Sequence, residues 1–513
     1  MSYLLGLDLG TSGVKALLLP ATEEHDARSY AATAELTLST PYPGWSEQDP
    51  ADWWHAVTRA TRAVLEASGV APGEIAGLAT SGQMHGATLL DGGGEVVRPC
   101  ILWNDQRSAP QCAEITDQIG LDRLLQWVAN PALAGFTAPK LLWVRNHEPE
   151  AWSRTRAVLL PKDYINYRLT GNRATEVSDA SGTLLFNVAR RCWSAEMLES
   201  LGLSPDLLPS VHLSTDHVGQ VSAQAARETG LRPGTPVVAG GADNACAAVG
   251  MGVVRPGEIM ASLGTSGTVL APTARAEVDP AGRLHTFCHA VADTWYVMGV
   301  VLSAGGSLRW FRDTLAQPEQ QIAASEGRDP YQVMLKACDA VPAGSEGLIF
   351  LPYLTGERTP HADPDARGVF FGLSLRHTRA HLTRSVIEGV AYALADSTDL
   401  MRRLGLDIDL VRATGGGARS ALWTQILADV LETRVSTSLT DTGPSLGAAI
   451  LAGVGTGVYP SVPAATEILV TMRSAVEPDT QVGLYRGYRT LYQRLYPALK
   501  EHFGALASLP EQQ

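Results

Sequence analysis

"LDLGTSGVKALLL" (7–19) returns in altered form as "ASLGTSGTVLA" (261–271): both carry LGTSG, at 9–13 and 263–267, starting 254 residues apart in a chain of 513. In each copy an apolar run enters the turn and another leaves it, so each reads as strand, turn, strand. A lone GTSG is what any hairpin turn uses, because Gly tolerates unusual backbone angles and Ser or Thr hydroxyls bond nearby backbone. Two copies in the same setting, half a chain apart, point to internal duplication. Set on opposite sides of a cleft, two such turns could grip a polyphosphate with backbone N–H groups and hydroxyls.

Working outward, "IAGLAT", "ATLLD", "VVAGG" and "TWYVMGVVL" are further strand-like runs that alternate with helical stretches, the pattern of an α/β protein. The length favours two large domains, placed at 1–245 and 246–513. After "SEQDP" a helix is well signalled, with Asp49 as cap, Pro50 at the first position and Asp52 facing the positive end of the dipole. Trp53 and Trp54 on it read as packing. Tyr485, Tyr488, Tyr492 and Leu495 fall at helical spacing and read as a packed stripe.

Composition narrows the class. The chain is 45% hydrophobic and 18% charged, which suits a well-packed globular protein. With 53 acidic against 40 basic residues the net charge is −13, and no Lys/Arg block is present to follow a phosphate backbone, so neither nucleic acid nor anionic membrane is an expected partner. No apolar run spans a bilayer, and the opening "MSYLLGLDLGTSG" lacks the basic start of a signal peptide. Six cysteines without a C-x-x-C pair read as reduced thiols, and a cytoplasmic location is expected. His285 and His289 flank Cys288, but no second cluster completes a coordination set.

Three features carry chemistry. Asp8 precedes the first LGTSG where Ser262 precedes the second, so a single carboxylate stands beside the phosphate turns and suits the magnesium of a bound nucleotide. "ATGGGARSALW" (413–423) is a strand, glycine turn and helix start that suits a nucleotide's sugar and α-phosphate. Walker A and protein-kinase motifs are missing. In "VVAGGADNACAAVG" (237–250) Asp243 stands alone among glycines and alanines. A charge set in close-packed backbone needs a partner or a reaction, and the reading is a general base for phosphoryl transfer, with the small neighbours admitting the substrate. An aspartate capping the helix that follows is the plainer reading of the same position.

With these features in hand the sequence resembles, over essentially its whole length, the FGGY carbohydrate kinases of the actin-like ATPase superfamily. "GFTAPKLLWVRNH" (135–147) and "GVFFGLSLRHTRAHLTRSVIE" (368–388) look like the two family signatures. "SGQMHG" (81–86), "ILWND" (101–105), "LPKDY" (160–164) and "GERTPH" (356–361) resemble the branch that acts on D-xylulose. The resemblance implies two duplicated actin-like (ribonuclease H-like) domains flanking a catalytic cleft. It implies ATP-dependent phosphorylation of D-xylulose to D-xylulose 5-phosphate, with ATP and Mg²⁺ required and Asp243 as catalytic base. Met84, His85, Trp103, Asn104 and Asp105 would line the sugar pocket, with Asp243 and Asn244 at the sugar's reacting end. Phosphates would lie against Thr11, Ser12, Gly13, Gly264 and Thr265, and adenosine against Gly305, Gly306, Gly416, Gly417 and Ala418. Glu357 and Arg358 read as a structural ion pair near the cleft. A homodimer is the assembly held open. Two rivals stand beside this reading: an FGGY kinase for another ketose or polyol, and an actin-like ATPase with no small substrate.

Overall fold

The computed structural model describes residues 2–21, 28–439 and 443–509. Strands β1 (Tyr3–Leu9) and β2 (Gly13–Pro20) form an antiparallel hairpin, with Leu9 opposite Val14 at the turn. β3 (Tyr30–Glu35) continues the sheet beside β2, and β4 (Ile75–Gly82) runs parallel to β1 on the other side. β5 (His217–Gln220) and β6 (Pro236–Ala242) complete the order β5-β6-β4-β1-β2-β3, with β6 parallel to β4.

The second sheet repeats the plan. β7 (Gly257–Leu263) and β8 (Gly267–Thr273) are the second LGTSG hairpin. With β9 (His285–Cys288), β10 (Trp295–Val301), β11 (Ile408–Thr414) and β12 (Val435–Thr437) they give the order β9-β10-β8-β7-β11-β12. β10 lies antiparallel to β8 as β3 does to β2, and β11 lies parallel to β7 as β4 does to β1. The duplicated actin-like α/β architecture expected from the repeat is the one found.

Both faces of these sheets are covered, so the central strands are apolar on each side: Leu4, Leu5, Leu7 and Leu9 of β1 are all buried. Helix α1 (Pro50–Ser68) packs on β2 and β3. Asp49 caps it by accepting the Ala51 N–H at 2.9 Å, Trp53 and Trp54 are buried, and Gly69 closes it at φ +67°. Helix α2 (Thr137–His147) lies in the first half, and α3 (Asp243–Gly250) follows β6 directly. In the second half are α4 (Gly305–Leu315), the long buried α5 (Arg379–Arg403) and α6 (Ala421–Leu431). α7 (Gly443–Gly455) and α8 (Val482–Ala507) end the chain, and Tyr485, Tyr492 and Leu495 of α8 enter the second core.

α7 crosses between the halves. It packs on β1, β4 and α3 of the first unit although it follows the second sheet in sequence. The contact is backbone to backbone: a Cβ on Gly6 would lie 1.9 Å from the Ser445 carbonyl oxygen, and one on Gly447 would lie 1.9 Å from that of Cys246. The expected boundary at 245/246 falls inside α3. Among the described residues no helix is long and apolar enough to cross a membrane.

Candidate active site

The first phosphate turn is closed by Gly10, whose N–H donates to the Gly13 carbonyl at 2.9 Å. The Thr11 hydroxyl is already committed, donating to Gln83 Oε1 at 2.8 Å and accepting from Trp103 Nε1 at 3.0 Å. What this turn offers a phosphate is therefore its backbone and the exposed Ser12. In the second turn the Gly264 carbonyl accepts the Gly305 N–H at 2.7 Å, and the Thr265 carbonyl accepts that of Gly306 at 2.9 Å. A Cβ on Gly305 would sit 2.6 Å from Gly264 O, and one on Gly415, at φ +88°, would sit 2.7 Å from Leu263 O. Only glycine lets these three loops meet.

Together they frame a cavity of about 890 Å³ lined by Gly264, Thr265, Gly305, Gly416 and Gly417. Its remaining wall includes Trp423, at the end of the 413–423 motif, and Tyr331 and Leu335, which no motif in the sequence signalled. Gly306 contributes to the frame through its bond to Thr265. Ala418 departs from expectation: it lines a neighbouring cavity of about 510 Å³ with Thr414 and Arg419, because the short helical turn Gly416–Arg419 rotates it away.

On the sugar side, Gln83-Met84-His85 follows β4, and the Gln83 N–H donates to Leu9 O at 2.8 Å, which ties it to the first phosphate turn. His85 has φ +71°, its Nδ1 lies 2.6 Å from Gly182 O, and Phe136 meets its ring edge-on at 4.8 Å. A carbonyl can only accept, so Nδ1 carries the proton and Nε2 is left as an acceptor. Burial, followed by the charge of Lys140, holds the imidazole well below its ordinary 6.5, so it is neutral. Asn244 joins this pocket to the base: its Nδ2 donates to Asp243 Oδ1 at 2.9 Å and approaches Met84 Sδ at 3.9 Å. Asn104 Oδ1 is buried without a partner, and Trp103 stands at the rim, 37% exposed.

Two expectations are corrected. Asp105 does not offer its carboxylate to a ligand: it is fully buried, chelated by Arg107 at 2.7–3.0 Å and capped by the Ser46 N–H at 2.6 Å. Its role is to fix the 103–107 loop. Glu357 and Arg358 form no ion pair. Glu357 Oε1 accepts the N–H groups of Leu302 (3.0 Å) and Arg358 (2.7 Å), and burial pushes its carboxyl up to about 8. The Arg358 guanidinium makes no salt bridge with a carboxylate among the described residues, and its charge helps to hold His285 and His85 below their ordinary 6.5. Adjacency in "GERTPH" suggested a pair; neighbours in extended chain point to opposite sides.

Asp243 is the first residue of α3, at the end of β6. The glycines around it are a requirement of packing, since a Cβ on Gly240 (φ +77°) would lie 1.9 Å from Thr80 O on β4. Ser178 braces the strand end, accepting the Ala242 N–H at 3.0 Å and donating to buried Glu176 at 2.8 Å. Asp243 Oδ1 accepts the Asn244 N–H at 2.7 Å. Burial, then the nearby charge of Asp8, raises the Asp243 carboxyl to about 7. Asp8, near the end of β1, is raised to about 6 by burial, offset in part by the Ser81 hydroxyl, and its buried Oδ1 has no closely aligned hydrogen-bond partner among the described residues. The arrangement sets a carboxyl group with near-neutral proton affinity beside a pocket of neutral polar groups and close to Asp8 of the first phosphate-type turn, a setting suited to taking a proton from a hydroxyl.

Comparison with known proteins agrees with this chemistry. Residues 3–250 match the N-terminal domain, and residues 259–456 the C-terminal domain, of the FGGY family of carbohydrate kinases. The chain is 40% identical over 510 residues to a xylulose kinase of Bacillus subtilis (strain 168), covering 99% of each. It is 41% identical over 502 residues to a xylulose kinase of Escherichia coli (strain K12), covering 96% of this chain and 99% of the relative. Among solved structures, a xyloylose kinase from Brucella ovis superposes with a TM-score of 0.87 at 38% identity, over 97% of this chain and 99% of the other. A duplicated hairpin frame, a buried carboxyl group at the end of its first half and a match along both halves have one reading: the chain belongs to the FGGY family of carbohydrate kinases.

Proposed function

We propose that the chain transfers the γ-phosphoryl group of ATP to the terminal 5-hydroxyl of D-xylulose, releasing ADP and D-xylulose 5-phosphate. The observation that carries the reading is Asp243, a carboxylate raised to about 7 and bonded through Asn244 to the Met84–His85 pocket. As the sugar oxygen attacks the γ-phosphorus in line, its proton passes to Asp243 and the bond to the bridging oxygen breaks, leaving with ADP. Backbone at Thr11, Ser12 and Gly13 and at Gly264 and Thr265 faces the phosphates, while the cavity lined by Gly305, Gly416 and Gly417 takes the adenosine. Met84, His85, Trp103, Asn104 and Asn244 line the pocket that holds the sugar. The catalytic cleft divides units taken as 1–245 and 246–513.

Magnesium fits this site on its own chemistry. Asp8 offers a buried oxygen with no closely aligned partner among the described residues, and a divalent cation there would relieve the carboxylate charge that burdens Asp243. Asp8 would hold the ion, which when bound neutralises phosphate charge. The relatives described above are xylulose kinases, which supports D-xylulose over other sugars. The test is a panel of ketoses and polyols with coupled ADP detection. D-xylulose is expected to give the highest kcat/KM. A higher value for another sugar overturns the substrate, and ADP release indifferent to every sugar overturns the kinase reading in favour of a simple ATPase.

A further inference from the structure

His85 is a non-glycine residue in left-handed backbone, a conformation that persists only where the surroundings impose it. A tight turn closes about it, the Gly86 N–H donating to the Met84 carbonyl at 2.9 Å, and the residue's own carbonyl is held from outside. The His85 carbonyl accepts two hydrogen bonds from α2, one from the Thr137 hydroxyl at 3.0 Å and one from Lys140 Nζ at 3.0 Å. Thr137 and Lys140 lie three residues apart, on one face of the helix. Lys140 is fully buried and forms no ion pair among the described residues; its second donor goes to Gly135 O at 2.6 Å. Burial lowers the proton affinity of this amine to about 7, and its N–H groups are spent on two carbonyls, a costly placement unless it holds something in place. The ring is fixed from the other side by Gly182 O, and a Cβ on Gly182 would lie 2.6 Å from His85 Nδ1.

We propose that Lys140 and Thr137 are positioning residues that clamp the His85 carbonyl, so that the imidazole is presented with Nε2 as a fixed acceptor for a sugar hydroxyl. The proposal rests on the reading of His85 as a sugar contact. It gives α2 a task in binding: the helix holds the conformation of a residue 52 to 55 positions upstream and transmits it to the pocket.

The clamp acts on a ground-state contact, so its loss should appear in the sugar KM. Lys140→Met and the isosteric Thr137→Val are each expected to raise the sugar KM about tenfold or more, the scale of one lost hydrogen bond to a fixed group, with the ATP KM within twofold. Thr137→Ser, which keeps the hydroxyl, should restore the sugar KM. Because the clamp works through His85, Thr137→Val added to His85→Ala should cost no further sugar affinity, measured by calorimetric titration. Full additivity in that double variant overturns the clamp, as does an equal rise in both KM values. If His85→Ala alone leaves the sugar KM unchanged, the pocket assignment itself has failed and the clamp falls with it. Thr137→Val, which removes one oxygen, keeps the test available should Lys140→Met fail to fold.

Discussion

At the scale of the residue, two carboxylates set the character of the site. Asp243 and Asp8 bind protons more tightly in the folded chain, at about 7 and about 6, than at their ordinary 3.8, chiefly through burial. The favourable contribution is present while both are protonated and is lost as pH rises from near 4 through 7, so in the unliganded protein at pH 8 both charges oppose folding. Asp243→Asn removes one of them. It is expected to raise the unliganded Tm at pH 8 by a few degrees, with a smaller gain at pH 5 and none below about pH 4, as read by scanning calorimetry at the three pH values. Turnover of the same variant should fall by about 10²–10⁴-fold, since the proton has no acceptor. Stability exchanged for activity at one residue marks a functional carboxylate; a variant no more stable at pH 8 and still active would make Asp243 architecture. Asp8→Asn should weaken the magnesium dependence of turnover and leave the sugar KM within twofold. A magnesium titration superimposable on that of the wild type would remove Asp8 from the metal.

At the scale of the element, the meeting of α7 with α3 positions Asp243, the proposed base. α3 begins at Asp243, and its later residue Cys246 presents a carbonyl against which Gly447 of α7 lies with no room for a methyl. Gly447→Ala must push the helices apart, and overpacking of this kind costs about 1–3 kcal/mol. The midpoint of urea unfolding is expected to drop, and kcat to fall several-fold with little change in sugar KM, because α3 moves the base more than the pocket. Unchanged unfolding and kinetics would mean the contact has slack. α1 makes the contrasting case: its cap, first-turn proline and terminating glycine are all local, and it forms where Asp49, Pro50 and Gly69 place it.

At the scale of the molecule, the two hairpin turns belong to separate sheets, and a single nucleotide can touch both only when the sheets approach. Closure about the cleft on binding both substrates is the expected consequence. Small-angle scattering should show a smaller radius of gyration with D-xylulose and a non-hydrolysable ATP analogue together than with neither; an unchanged value would place the phosphates on one turn alone. The crossing of α7 limits what such a motion can be, since a helix from the second half is embedded on β1 and β4 and travels with the first.

What the sequence determined by itself is whatever is written within a few residues: the repeated strand-turn-strand, the capped α1, the glycines that make tight turns, and the isolation of Asp243. Backbone preference and turn chemistry act over that range, and the two sheets follow from them. Pairings across long stretches of chain were decided by tertiary structure alone. Asp105 looked like a pocket carboxylate until the fold packed Arg107 and the Ser46 N–H around it, and Glu357 looked paired with the Arg358 side chain until the fold gave its carboxyl the backbone N–H groups of Leu302 and Arg358. Lys140 met the His85 carbonyl only because α2 docks beside the end of β4. α7 reached the first sheet because Gly6 and Gly447 leave room for backbone to touch backbone, a fit that exists only once both surfaces are assembled.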